Sequence, residues 1–298
     1  MVVGIGSAAL AAQAPVATFT SGIDLVSVSA IVRDHKGRFV RNLTARDFEI
    51  LDGGHFQPIA DFRRDAASVS VALLFDVSGS MESTLTDARE AATHLLSWLE
   101  PKDETAVFTF DTRLDEVAPF TSGVKTLPAS MSRVTPFGAT SLHDAIARTA
   151  ERAGAREGRH RAVVVFTDGR DNASRLTPGQ VSGIASSIDV PVYVFAVVPS
   201  IDNPSTEFST NVERSSLTGA LSDLAAWTGG HVFVASTPAG RSAAAQQIVA
   251  ELRHQYLIAF ESSGAPGWHP LVVRARNKDL TVRARSGYIA GQSRPTSD

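Results

Sequence analysis

The chain of 298 residues contains no cysteine. Disulfides, thiolate metal centres and cysteine nucleophiles are therefore excluded, while the redox compartment stays open. Charge of one sign is lacking as well. With 28 Lys+Arg against 31 Asp+Glu, the formal net charge of −3 gives no global attraction to nucleic acid or to an anionic membrane surface. No apolar run is long enough to span a bilayer. There is no Gly-x-x-x-x-Gly-Lys phosphate loop and no Gly-x-Ser-x-Gly nucleophile elbow. The eight His residues are scattered, without the i, i+4 spacing that sets two imidazoles on one helical face. The first Lys or Arg is Arg33, so the opening "MVVGIGSAALAAQAPVA" lacks the charged start of a secretory signal, although Ala9 to Ala11 and Ala12 to Ala14 make Ala-x-Ala steps. The expectation is a signal-like or disordered leader over 1–20 and an extracytoplasmic location.

What is present is enough apolar sequence, 43 %, for a substantial core. Residues 21–67 read as short alternating strands broken by "DHKG" and "DGG" turns. From 68 to 254 apolar runs alternate with amphipathic helical patterns, which predicts β/α units around a mostly parallel sheet. The strands expected there are 71–75, 106–110, 162–166, 190–197 and 231–234. Helices are expected from Leu85 to Leu99, from Leu142 to Ala153 and from Leu221 to Trp227, the last ended by Gly229 and Gly230. Residues 199–216 form a long polar connection expected to be mobile. Alternating strands return at 255–290, and 291–298 reads as a disordered tail. Each β flank is too short for its own core, so the two are expected to pair into one small β-sandwich with the α/β unit inserted between them.

The chemistry concentrates at strand ends. "VALLFDVSGS" runs from a buried strand into Asp76, Ser78 and Ser80, and "AVVVFTDGRDN" runs from another into Asp168. Between them "FGATSLHDAIA" places Thr140 before a helix, with Ser141 and Asp144 at capping-box spacing. In an open α/β sheet, ligands bind outside the carboxyl ends of strands where the winding direction switches. Two carboxylates and three hydroxyls suit a hard divalent cation, Mg²⁺ first and Mn²⁺ or Ca²⁺ as alternatives. Neutral hydroxyl ligands leave such an ion poorly neutralised, so an outside carboxylate would complete its shell.

These residues resemble the von Willebrand factor type A domain and its metal-ion-dependent adhesion site: "DVSGS" supplies Asp76, Ser78 and Ser80, "GATSL" supplies Thr140 and "FTDGRDN" supplies Asp168. The resemblance implies a doubly wound, Rossmann-like sheet of six strands with one antiparallel edge, for which "LDEVAPF" is the candidate. The flanks are similar to bacterial VWFA-related proteins of the acidobacterial type, with His143 where Tyr is expected. The implied function is metal-dependent adhesion to a protein ligand presenting Asp or Glu, with Met81, Phe137 and Arg170 as candidate ligand-rim residues.

Two other readings stay open: an assembly or chaperone-like scaffold that binds partners without metal, and a phosphoester or ester hydrolase. The second is weakened because Ser78 stands where an aspartyl phosphatase needs a second Asp, and no enzyme is expected. Arg274, Arg276, Arg283 and Arg285 read as the solvated side of an edge hairpin. No aromatic residues interleave with them, so nucleic acid is not expected as a partner.

Overall fold

The computed structural model describes residues 25–64, 68–156, 159–187, 189–197, 219–262 and 265–290. The leader, the 199–216 connection and the tail lie outside the described residues. In chain order, β1 (Leu25–Arg33), β2 (Phe48–Asp52), β3 (His55–Gln57) and β4 (Ile59–Arg63) precede the α/β unit. That unit runs β5 (Val69–Asp76), α1 (Leu85–Trp98), β6 (Glu104–Phe110), β7 (Leu114–Ser122), α2 (Leu142–Gly154), β8 (His160–Thr167), α3 (Pro178–Ser187), β9 (Val192–Val197), α4 (Gly219–Trp227), β10 (Val232–Ala235) and α5 (Pro238–Arg253). It is followed by β11 (Gln255–Glu261), β12 (Gly267–Ala275), β13 (Thr281–Ala284) and β14 (Gly287–Ala290).

The central sheet has the order β10-β9-β8-β5-β6-β7, parallel throughout except for β7, which pairs antiparallel with β6. The apolar runs become central strands because both of their faces are covered, as parallel sheets require. In β5, Val71, Leu73 and Phe75 join a core with α1 and α5, while Ala72 and Leu74 join another with α2 and the helices that follow. The alternating "LDEVAPF" becomes the half-exposed edge strand β7. After β5 the chain winds outward to β6 and β7 and then returns to place β8 on the other side of β5. This reversal puts the carboxyl ends of β5 and β8 beside a crevice.

The flanking strands interleave in two antiparallel sheets, β13-β1-β11-β4 and β14-β12-β2-β3. Val28, Ala30 and Val32 of the first face Phe48, Ile50, Leu271 and Val273 of the second in one shared core. The opposite face of the first sheet lies against the α/β unit. Ser29 donates to Asp189 (Oγ to Oδ2, 2.8 Å), and Arg33 pairs with Glu251 of α5 at 2.9 Å.

This seam corrects the reading of the arginines. β12 and β13 lie in different sheets rather than in one hairpin. Only Arg274 and Arg276 are solvated, both held by Glu49. Arg283 is paired with Glu251, and Arg285 is buried 3.7 Å from Asp189 and donates to the Ser27 carbonyl. Alternation shows that a strand has two different faces, but the unit covering the polar face comes from distant sequence.

Candidate metal site at the carboxyl ends of β5 and β8

Asp76 is the last residue of β5 and is fully buried. Its Oδ1 accepts from the Ser78 backbone N–H at 3.0 Å and from Ser78 Oγ at 2.6 Å, and its Oδ2 accepts from Thr167 Oγ1 at 2.7 Å. Thr167 in turn accepts from the Gly169 N–H at 3.0 Å, an arrangement that the positive φ of Gly169 (86°) accommodates. Ser78 Oγ lies 3.3 Å from Ser80 Oγ. Burial pushes the Asp76 carboxyl up to about 6 and the neighbouring Asp168 charge adds to this, against the hydrogen bonds from Ser78 and Thr167.

The second half of the site is tied to the first through backbone. Phe137 N–H donates to the Val77 carbonyl at 2.8 Å and Gly79 N–H to the Gly138 carbonyl at 3.1 Å, which docks the loop before α2 onto the turn after β5. Thr140, buried two residues later, donates its N–H to Asn172 Oδ1 at 2.8 Å and accepts at its carbonyl from the Asn172 and Ala173 N–H groups. Thr140 Oγ1 has no hydrogen-bond partner among the described residues. Asp168 follows β8; its Oδ1 accepts from the Arg170 N–H at 3.2 Å and its Oδ2 lies 3.5 Å from Arg170 Nε.

Five acidic side chains are buried among the described residues: Asp52, Asp76, Asp103, Glu104 and Glu251. Four of them face a basic side chain, namely His269, Arg253, Arg156, and Arg33 with Arg283. Asp76 alone has no ion-pair partner among the described residues. A buried carboxylate without a counter-charge is costly, and a cation binding there would relieve that cost.

The donor set fits a hard cation. It consists only of oxygens, and Ser78, by donating its proton to Asp76, keeps its lone pairs free for an ion. Neighbouring ligands of an octahedral Mg²⁺ with bonds of 2.0–2.1 Å sit ~3 Å apart, close to the Ser78–Ser80 spacing. Among the described residues no group of three or more His, Cys, Asp or Glu side chains gathers into a metal cage. The arrangement depends instead on hydroxyls.

Several expectations need correction. Met81 is fully buried, its sulfur accepting from Thr84 Oγ1 at 3.4 Å, so it underlies the site instead of forming its rim. Phe137, 81 % exposed, and Arg170 do lie at the surface. Ser141 makes no side-chain cap on α2: the Asp144 N–H donates to Ser174 Oγ at 3.2 Å instead, and the Asp144 carboxylate accepts from the Arg175 and Leu176 N–H groups of the neighbouring loop. His143 is held by Asp171, 2.7 Å from its Nδ1. Thr167, Asp171 and Asn172 were not singled out from sequence. They lie beside Asp168 in "FTDGRDN", where every polar residue after a buried strand was a candidate partner.

Residues 71–170 match the family model of the von Willebrand factor type A domain. No curated protein matches the sequence. Among solved structures the chain is similar to the conserved hypothetical protein BatB from Bacteroides thetaiotaomicron, with 19% identity, 62% of this chain and 98% of that one covered and a TM-score of 0.49. It is also similar to an aerotolerance-related membrane protein from Bacteroides fragilis NCTC 9343, with 22% identity, 62% and 98% covered and a TM-score of 0.48. A von Willebrand factor type A protein from Catenulispora acidiphila aligns over 92% of this chain and 76% of its own, with 14% identity and a TM-score of 0.48. The stretch that matches the von Willebrand factor type A model runs from within β5 to just past Asp168 and so contains Asp76, Ser78, Ser80, Thr140 and Asp168.

Proposed function

We propose that the domain binds a protein partner through a divalent cation, Mg²⁺ first, held by Ser78, Ser80 and Thr140, with Asp76 and Asp168 ligating through water or orienting the ligands. The observation that carries this reading is the buried Asp76 carboxylate, which alone among the buried acidic side chains of the described residues lacks a basic partner and which accepts from two hydroxyls. When bound, the ion would supply a Lewis-acidic centre held by these oxygens. Its ligands are mostly neutral, so the partner group it favours is an Asp or Glu carboxylate.

The chain's own residues do the positioning. Thr167 and the Ser78 N–H fix the Asp76 carboxylate, and Asn172 fixes the Thr140 backbone. Phe137 and Arg170 stand exposed where a partner would touch. Binding rather than turnover is the proposed activity. The Ala-x-Ala steps at the start of the sequence support work outside the cytoplasm.

Calorimetric titration of Mg²⁺ and Mn²⁺ into metal-stripped protein tests the reading, with Asp76→Ala as control. One ion per chain, lost in the variant while its circular dichroism stays that of the wild type, is the expected result. Absence of binding in the wild type, or equal binding in the variant, would overturn it.

A further inference from the structure

Beside the candidate metal site lies a cleft of about 390 Å³ whose charged lining includes Asp111, Arg113, Asp144, Arg148 and Arg175. Ser141 also lines it. Because Ser141 directly follows Thr140, their Cα atoms are ~3.8 Å apart and the cleft opens next to a proposed metal ligand. Both carboxylates in it are already engaged by the backbone. Asp144 accepts from the Arg175 N–H at 3.1 Å and the Leu176 N–H at 2.9 Å, and Asp111 accepts from the Arg113 N–H at 2.7 Å.

Two of the three arginines have no such commitment, and the third is held only at the surface. Arg148 follows Asp144 by one helical turn, a spacing at which ion pairs commonly form, yet Asp144 is turned to the loop and no pair exists. The guanidinium groups of Arg148 and Arg175 have no hydrogen-bond or ion-pair partner among the described residues. Arg113 reaches only Asp115, at 3.4 Å, with both side chains largely exposed. Three guanidinium groups thus offer free donors around one polar hollow, and such forks match carboxylates in two-point contact.

Resting on the metal-binding reading above, we infer that this cleft is a second anion subsite, and that the partner segment carries two acidic side chains, one for the metal and one for Arg148 and Arg175. An exposed arginine–carboxylate pair is weak alone. A ligand already anchored at the metal presents its second carboxylate at high local concentration, so the contact then adds to affinity.

The test uses rhodamine-labelled, end-capped Gly/Ser nonapeptides and fluorescence anisotropy in Mg²⁺ and in EDTA. One peptide carries a single Asp; others add a Glu two, three or four residues further on. The expected result is that at least one two-acid peptide binds wild-type protein about tenfold tighter than the single-acid peptide. The double variant Arg148→Ala/Arg175→Ala should lose that preference while its Mg²⁺ titration is unchanged. Arg46→Ala/Arg276→Ala removes the same charge from the distant flank and should leave the preference intact.

Equal affinities in the wild type, including failure of every peptide to bind, would overturn the inference. So would a preference that survives in the cleft variant or disappears in the flank variant. Failure of the metal reading looks different. There the wild type binds no Mg²⁺, and a two-acid preference that persists in EDTA yet depends on Arg148 and Arg175 would leave the anion subsite standing.

Discussion

Glu251 offers a sharp test of how the two units are joined. It lies in the last turn of α5, fully buried, with Arg33 of β1 2.9 Å from Oε1, Arg283 of β13 on Oε2 and the Gln247 amide 3.2 Å from Oε1. Glu251→Gln keeps the shape and removes the charge, which leaves two arginines of neighbouring strands β1 and β13 against α5 without their counter-charge. Breaking a fully buried pair costs about 3–5 kcal/mol, and the quarter exposure of both arginines places this case near the low end, about 3 kcal/mol. Urea unfolding at neutral pH measures it. Replacing all three groups together, Arg33→Met/Glu251→Leu/Arg283→Met, should recover most of the loss, because apolar packing needs no compensating charge. The sign with pH is fixed. Burial alone would push Glu251 up, but Arg283, the Gln247 amide and Arg33 together hold it below its ordinary 4.5. The stabilisation is therefore present above about 4.5 and is lost as pH falls through the lowered folded value. A loss under 0.5 kcal/mol, or one that is undiminished in strong acid, would refute the reasoning.

Three further outcomes follow from the geometry. Thr167→Val removes the donor to Asp76 Oδ2, and supporting contacts of this kind are worth about 10–100-fold in metal affinity, so Mg²⁺ titration should show that weakening without loss of stoichiometry. Met81→Ala empties a fully buried position under the site and should cost about 2–5 kcal/mol in urea unfolding while one ion still binds. Gly230→Ala would set a Cβ 2.0 Å from the Val192 carbonyl oxygen, so the connection between α4 and β10 must move away from β9; thermal unfolding should show a drop of several degrees at least, and an unchanged midpoint would sink the argument.

Much of the sheet was legible because the middles of its strands are dominated by apolar residues. "VALLF", "AVFTF" and "AVVVF" can be nothing but doubly covered strands or buried helices, and their length decides for strands. Asp76 and Asp168 were legible because each stops such a run. α5 was not anticipated. Its Arg241 and Glu251 are buried and interrupt any apolar stripe, and the partners that make burial possible, Glu90 and Asp87 for one and Arg33 and Arg283 for the other, lie far off in sequence. Arg283 and Arg285 were misread for the same reason. α3 was missed too, since "PGQVSGIASS" is short and rich in small residues, with weak helical periodicity. In the site, the oxygen-bearing candidates stood out, whereas Thr167 and Asn172 bond to Asp76 and Thr140 and have no pattern of their own.

The seam and the site lie at opposite ends of the same sheet. His160, which opens β8, bonds to the Leu252 carbonyl of α5, and Asp189, just before β9, holds Ser29 and Arg285, so the flanking sheets sit at the amino ends of the parallel strands. Asp76 and Asp168 sit at the carboxyl ends. Eight residues of β5 at ~3.3 Å each separate the two regions by roughly 25 Å, with no shared partner. Perturbations at such distance add. Combining Glu251→Gln with Asp76→Ala should therefore give a stability change within about 0.5 kcal/mol of the sum of the single variants. Mg²⁺ affinity of Glu251→Gln should match the wild type. A coupling well above that limit would mean that the flanks bias the geometry of the binding face, and the two ends of the sheet could no longer be treated as an anchor and a recognition surface acting independently.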